Sequence, residues 1–437
     1  MIMSKTITLT ATILIFFLTM LACSDNNELL STEDKNTDNQ QSPNILLIIA
    51  DDMGLDATSG YSEGAVKPAM PNLDKLASEG ITFNNAWAYP LCSPTRASIL
   101  TGKYGHNTGI LNVEGIDIST SEMSIQKYLD ENTETLYSHA HIGKWHLSKF
   151  NQLTAPNNMG IDYFAGIMQG GVTDYNSWTL VSNGQSETCN EYHTTKMTDL
   201  SINWINQQTN PWFCWLAYSA PHTPFHYPPS EMHQQNEADG SDLSMFLAMC
   251  ESLDYEMGRL FNSMDPETLA NTIIIFIGDN GTDKNVLQLP YRGRKAKGSL
   301  YQGGINVPLI VSGYGVNRSN AIDDNLICSV DLFATIADIS GAGSNIYEDS
   351  FSFKELLSNE TSGLRPYNFS EVDHGDDYRY AISDGTYKLI SNNDKDDELY
   401  NLIDDPYEAN DLYNSTNTDD INAMQELRSE ADKIRNN

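Results

Sequence analysis

From residue 44 to residue 341 the chain alternates two kinds of hydrophobic pattern. Short apolar runs occur at NILLIIADD (44–52), ETLYSHAHIGKWH (134–146), WFCWLAYSAPH (212–222), NTIIIFIGDNG (271–281) and VPLIVSG (307–313). Their length and β-branched content predict buried strands. Between them apolar residues recur at helical spacing, in MPNLDKLASEG (70–80), TTKMTDLSINWINQQ (194–208), DLSMFLAMCESLDYEMGRLF (242–261) and VDLFATIADISG (330–341). Gly80 reads as the terminal glycine of the first of these helices. Continuous apolar strands alternating with helices predict an α/β fold: a large, mainly parallel mixed sheet sandwiched by helices.

The tail has a different rhythm. YRYAISDGTYKLI (378–390) is two alternating β runs joined by Asp384-Gly385, a type I′ hairpin signal. ELYNLIDDPYEANDLY and a charged helical segment follow. Residues 43–360 are therefore read as the main α/β domain, and 361–437 as a small C-terminal α+β subdomain on an antiparallel sheet. No internal repeat is visible.

At the other end, residues 1–22 carry Lys5 and the apolar run ITLTATILIFFLTMLA. The run is too short and too early for a comfortable membrane span and reads as a secretory signal. It ends in MLAC, which resembles the bacterial lipoprotein signal, with Cys23 as the acylated residue. Residues 23–42 are polar and acidic and read as a flexible tether. An exported protein of the bacterial cell envelope is expected, attached to the membrane only through a lipid at Cys23.

Charge narrows the partners. The 437 residues include 59 acidic against 25 basic, a net charge of −34, which repels nucleic acid and anionic membranes. A folded protein is expected from a hydrophobic content of 40%. Six cysteines show no C-x-x-C spacing, so a zinc site of that type is not expected. Cys214 and Cys250 lie in apolar runs and read as core. An exported protein is permitted disulfides, but the spacing of Cys189, Cys214, Cys250 and Cys328 demands none.

Polar residues close several of the apolar runs: Asp51 and Asp52, Asp279 and Asn280, and His222. Ligands of open α/β sheets bind outside the carboxyl ends of the strands, so these groups share one rim. Asp51, Asp52, Asp279 and Asn280 offer oxygen donors only, which suits Ca²⁺ or Mg²⁺. Arg96, Lys144, His146, His222 and Lys297 form a second, basic set. A metal with converging cations describes a pocket for a compact oxyanion such as sulfate or phosphate. His106, His139, His193, His226, His233 and His374 read as ordinary core or surface groups. His139 and His141 share a strand face, but no zinc-binding spacing supports them as ligands.

The segment YPLCSPTRASILTGKYGHNTG (89–109) places Cys92 at what reads as a helix start beside Arg96, where dipole and cation both favour a thiolate. Its C-x-P-x-R pattern arises by chance in about 0.005 of shuffled chains of this composition. Cys92-Ser-Pro94-Thr-Arg96 followed by ASILTGK resembles the signature of type I sulfatases, of the alkaline-phosphatase superfamily. The resemblance continues in order through ADD, GKWH, APH, GDNG, KGSLYQGG and the tail, from Asn44 to Tyr413. Two departures are Ser148 where the family often has glycine, and Gln302 where glutamate is common.

The resemblance implies an alkaline-phosphatase-like fold and sulfate ester hydrolysis. It implies that a formylglycine-generating maturation enzyme oxidises Cys92 to an aldehyde, with Pro94 and Arg96 in its recognition sequence. One hydroxyl of the hydrated aldehyde attacks sulfur, and the second lets the diol collapse and expel sulfate. By the same resemblance Asp51, Asp52, residue 92, Asp279 and Asn280 hold one Ca²⁺, with Mg²⁺ as the second choice. Arg96 stabilises the hydrated aldehyde, and Asp279 is a candidate to take its proton. Lys144 and Lys297 neutralise the sulfate, His222 and Lys297 protonate the leaving alcohol, and His146 assists collapse of the diol.

The expected substrate is a sulfated polysaccharide or oligosaccharide of algal or glycosaminoglycan type. Specificity is assigned to the segments FAGIMQGGVTDYNSW (164–178) and HYPPSEMHQQNEADGSD (226–242), whose aromatic and polar residues suit a sugar ring. The enzymatic rival is a phosphodiesterase or phosphonate monoester hydrolase of the same superfamily. A single oxygen-ligand set favours the one-metal sulfatase. The non-enzymatic rival is a surface lipoprotein that binds sulfated glycans, which need not keep aldehyde precursor, metal set and acid–base residues together.

Overall fold

Seven consecutive buried residues, Asn44–Ala50, form β1, the fifth strand of a ten-stranded sheet. The computed structural model describes residues 42–343, 345–375, 377–393 and 396–436. The signal sequence, Cys23 and the tether as far as residue 41 lie outside the described residues.

The other strands of the sheet are β2 (Ile81–Trp87), β3 (Ser138–Lys144), β4 (Tyr163–Ile167), β5 (Trp178–Ser182), β6 (Gln185–Cys189), β7 (Trp212–Ala217), β8 (Thr272–Gly278), β9 (Leu309–Gly313) and β10 (Ala321–Cys328). Their order is β10-β2-β9-β8-β1-β7-β3-β4-β5-β6. The run β8-β1-β7-β3-β4 is parallel, as is β10 on β2. β9 runs antiparallel to both β2 and β8, and the β5–β6 hairpin closes the far edge antiparallel.

Alternation along β1 explains why its sequence is apolar throughout. Ile45, Leu47 and Ile49 face one core, shared with α2 (Cys92–Thr101) and the helix Asp331–Ser340. Leu46, Ile48 and Ala50 face the other, shared with α1 (Pro71–Glu79) and the helices His193–Ile205 and Asp242–Ser263. A strand covered on both faces has no solvent side on which to carry polar residues. Its polar groups are confined to its ends, and this puts the chemistry at the rim.

A short ribbon, β11 (Ile346–Tyr347) with β12 (Ser350–Phe351), precedes the second sheet. That sheet is antiparallel, in the order β13 (Asn368–Asp373), β14 (Tyr378–Ser383), β15 (Tyr387–Ser391) and β16 (Glu398–Asn401). Its apolar face packs with Trp87, Tyr89, Leu91 and Tyr104, on either side of the start of α2. The Ser370 hydroxyl donates to the Ala88 carbonyl at 2.9 Å, and Lys295 donates to the carbonyls of Tyr407 and Glu408 at 2.6 Å each. The second sheet thus braces the segment leading into Cys92, and the stretch that follows β16 braces the loop that carries Lys297.

Two local readings change. Gly80 follows α1 but has φ −140°, so it is no left-handed cap; a Cβ there would lie 2.1 Å from the Val311 carbonyl oxygen, and close passage of β9 requires the glycine. The Asp384-Gly385 turn does join two strands, yet only Gly385 has positive φ, whereas type I′ needs two such residues. The Asp384 carboxylate instead accepts from the amides of Thr386 and Tyr387 at 2.8 and 2.7 Å, an Asp-stabilised turn. Cys92, Cys189, Cys214, Cys250 and Cys328 are all buried free thiols.

Candidate active site

The carboxyl ends of the central strands deliver the cluster. Asp51 and Asp52 follow β1, and Asp279 and Asn280 follow β8. Lys144 ends β3, with His146 just beyond, and His222 lies past the end of β7. Cys92 and Arg96 occupy the first turns of α2, and Lys297 comes from the loop after β8. Asp52 and His146 have φ of +69° and +52°, a left-handed conformation that costs a non-glycine residue energy and turns the chain sharply at the strand end.

Every acid in the cluster has a basic partner. Lys144 Nζ donates to Asp51 Oδ2 at 2.5 Å, and Lys297 Nζ donates to Asp52 Oδ2 at 2.7 Å. Arg96 donates to Asp279 Oδ2 from Nη2 at 2.7 Å and from Nε at 3.2 Å, and lies 3.9 Å from Asp51. Asn280 Nδ2 donates to Asp52 Oδ1 at 2.8 Å. Cys92 Sγ is 3.3 Å from His146 Nδ1, and His222 Nε2 is 3.8 Å from Asp52 Oδ2. The ten residues singled out in the sequence therefore form one contiguous cluster.

Electrostatics follow from burial and these pairs. Burial alone lowers the pKa of Lys144 and Lys297, but the facing carboxylates of Asp51 and Asp52 outweigh it and hold both ammonium groups charged, above the ordinary lysine value. Burial raises the Asp52 carboxyl, yet Lys297, His222 and Lys144 prevail and keep it well below the usual carboxylate range. For His146 burial and the cations Lys144 and Arg96 act together, pushing it down to about 2, so the ring is neutral. Burial and the neighbouring Asp51 raise the Asp279 carboxyl against the pull of Arg96 and Lys144; with all three carboxyls ionised, three carboxylates and three cations sum to zero charge. A dication would leave the cluster at +2, the sign an anionic ester needs in a protein of net charge −34.

The donor set fits such an ion. Asp51 Oδ1 and Asn280 Oδ1 are buried and have no hydrogen-bond partner, an expensive condition unless a cation satisfies them. One ligand atom each from Asp51, Cys92 and Asp279 lie within 4.8 Å of one another. A second, overlapping set of Asp51, Asp52 and His222 meets the same limit, and the Asp52 oxygens there also accept from Lys297 and Asn280. Hard oxygens around one point suit Ca²⁺ or Mg²⁺.

Two supports went unread in the sequence. A Cβ on Gly170 would lie 2.5 Å from His146 Cε1, and one on Gly171 would lie 3.1 Å from His222 Nδ1, so a bare backbone passes over both histidines. The signal was the glycine pair in a segment already singled out for specificity. The Tyr175 hydroxyl lies 2.8 Å from the carbonyls of both Ser219 and His222 and pins the turn that carries His222. His222 Nδ1 donates to the Thr223 carbonyl at 2.9 Å, which turns Nε2 toward Asp52 and the pocket. His139 and His141 are engaged elsewhere, with Asp130 and with the Lys144 carbonyl.

A family model described as Sulfatase matches residues 43–342, and one described as N-sulphoglucosamine sulphohydrolase, C-terminal, matches residues 293–437. A protein named Sulfatase from Formosa agariphila is 27% identical, with 93% of this chain and 90% of that protein covered. Arylsulfatase J of Mus musculus is 26% identical over 74% of this chain and 56% of its own length. Among solved structures, Ps i-CgsB superposes with a TM-score of 0.80 at 25% identity, covering 90% of this chain and 93% of that one. It has also been solved in complex with k-i-k-neocarrahexaose.

Proposed function

The chain belongs to the sulfatase family and is a sulfuric ester hydrolase; from that premise we propose that it desulfates a sulfated polysaccharide or oligosaccharide, using an aldehyde made from Cys92 and one Ca²⁺. The observation that carries the reading is the charge-balanced cluster around Cys92 with two buried oxygens, Asp51 Oδ1 and Asn280 Oδ1, left without partners. Asp51, Asp52, Asp279, Asn280 and residue 92 would hold the ion, which when bound polarises the sulfate oxygens.

The chain's own groups divide the remaining work. α2 fixes residue 92 at the floor of the cluster, and Arg96 ties that helix to Asp279. Lys144 and Lys297, kept protonated by their carboxylates, neutralise the sulfate oxygens. His146 Nδ1 lies 3.3 Å from Sγ, within hydrogen-bond reach of the group at position 92, and so is placed to assist collapse of the diol. His222 presents Nε2 at the pocket mouth and, when protonated, gives that proton to the departing alcohol oxygen.

The ligand reported with Ps i-CgsB supports a carbohydrate substrate. The C-x-P-x-R segment supports a formylglycine-generating enzyme as partner. The MLAC sequence supports export to the cell envelope with a lipid at Cys23. The test is sulfate release by protein produced with and without a maturation system, alongside the mass of the Cys92 peptide. The aldehyde form should be lighter than encoded, react with hydrazides and be the active one. Full turnover by protein bearing only the free thiol would refute the reading.

A further inference from the structure

Beside the catalytic cluster lies a cavity of about 590 Å³, within the ~300–1,000 Å³ range of small-molecule sites. Gly171 belongs to its wall and also lies against His222, so one glycine's backbone adjoins both cavity and cluster. Its floor is the outer face of the β5–β6 hairpin. Thr179 pairs with Thr188 and Val181 with Ser186, and alternation along the two strands brings all four to the same face. Phe150 stands at its edge with 68% of its surface exposed, which leaves much of the ring available to a ligand in the cavity.

The lining is chemically one-sided. Among the described residues that form it, none is Lys, Arg, His, Asp or Glu; hydroxyls and amides such as Thr173, Thr179, Asn151 and Gln169 alternate with apolar groups. The charges nearest in sequence offer an anion no counterion. Lys149 is already paired with Asp117 at 2.7 Å, Glu187 alternates to the opposite face of β6, and Asp174 is acidic. A carboxylate or second sulfate in this cavity would lose water and gain no cation from the lining. An uncharged sugar would pair its hydroxyls with the Thr, Asn and Gln side chains and lay an apolar face on Phe150.

We propose that this cavity binds an uncharged sugar ring adjoining the sulfated one, and that the enzyme discriminates against glycans whose neighbouring ring is a uronate or carries a second sulfate. The proposal rests on the sulfatase reading, and its test keeps the two apart. Binding to the full chain carrying Cys92→Ala is measured calorimetrically, so that no turnover is involved. Two disaccharides are compared that share the sulfated sugar and differ only in whether the second ring is a hexose or a hexuronate. The hexose form should bind about tenfold tighter or more. Phe150→Ala should remove about five- to tenfold of that affinity, while binding of the sulfated monosaccharide stays unchanged. Thr179→Lys should bring the uronate form to parity. Equal binding of the two disaccharides, a preference for the uronate, or selectivity unchanged in Thr179→Lys overturns the proposal. Absence of sulfate release by mature protein from every ester tried, nitrophenyl sulfate included, would refute the hydrolytic reading instead and leave the calorimetric comparison to stand by itself.

Discussion

Gly170→Ala is a one-carbon test of the geometry around His146. The new Cβ would sit 2.5 Å from Cε1 and 2.8 Å from Nε2 of the ring, where ordinary contact begins at 3.4 Å. Something must move by about 0.9 Å. The ring has little freedom to do so, because its backbone is held in a left-handed conformation and its carbonyl accepts from Ser93 Oγ at 2.8 Å. A displacement near 1 Å at a reacting centre costs roughly 10²-fold in rate. Gly170 does not itself have a positive φ, so alanine introduces no backbone strain there, and the melting temperature should shift little. Sulfate release from a sulfated sugar and from nitrophenyl sulfate, with thermal melts followed by circular dichroism, gives the comparison. kcat should fall about 10²-fold on both esters at nearly constant stability. Gly171→Ala, at 3.1 Å from His222 Nδ1, should cost less than tenfold, since a few tenths of an ångström relieve it. Full activity in Gly170→Ala with His146 unmoved in a crystal structure would refute the assignment of that ring to the reacting centre.

Cys92→Ala should abolish turnover while leaving the fold intact, read from sulfate release and circular dichroism. Chelation should remove activity and Ca²⁺ restore it. Asp279→Ala should lower metal occupancy and also destabilise by about 3–5 kcal/mol, because Arg96 is fully buried and loses both hydrogen bonds to that carboxylate; equal urea midpoints for variant and wild type would contradict this. His222→Ala should lose ~10²–10⁴-fold on a sulfated sugar and distinctly less on nitrophenyl sulfate, whose leaving group needs no proton; equal losses would pass the acid role to Lys297. Burial pushes His193 down from 6.5 to about 3, with neither ring nitrogen paired. The unfolded state therefore binds the extra proton between those values, so this group's stabilisation is present above 6.5 and lost as pH falls below it. Between pH 6 and 4.5 His193→Phe should lower the pH slope of stability by about 1.4 kcal/mol per unit, measured by urea unfolding.

Much of the site was legible because burial on both sheet faces pushes polar residues to strand ends. NILLIIADD and NTIIIFIGDNG locate β1 and β8, and the carboxylates at their ends stand where expected. What escaped depends on contacts between distant segments. QSETC forms β6 although four of its five residues are exposed, so no hydrophobic period marks it. VPLIVSG reads as a strand, but nothing local states that it runs antiparallel between β2 and β8. Gly80 reads as a helix-terminal glycine and Gly170 as one of a loop pair, and each is required because another segment passes within contact distance. The Asp384 turn departs from type I′ because a side chain satisfies amides that the backbone type would have left to the strand ladder.

All ten residues of α2 are buried, and Cys92 is 2% exposed, beneath the strands that brace Tyr89 and Leu91. A second enzyme that has to grip Cys92, Pro94 and Arg96 together finds none of them at the surface of the finished molecule. The maturation proposed for Cys92 would then have to act on the unfolded chain, before the strand from Asn368 closes over the segment. Folding would then act as a deadline: chains that pass it unmodified would keep the thiol, however much modifying enzyme is added later. The competent fraction of any preparation would be decided by a race between two rates during synthesis, and the encoded sequence alone would not reveal its outcome.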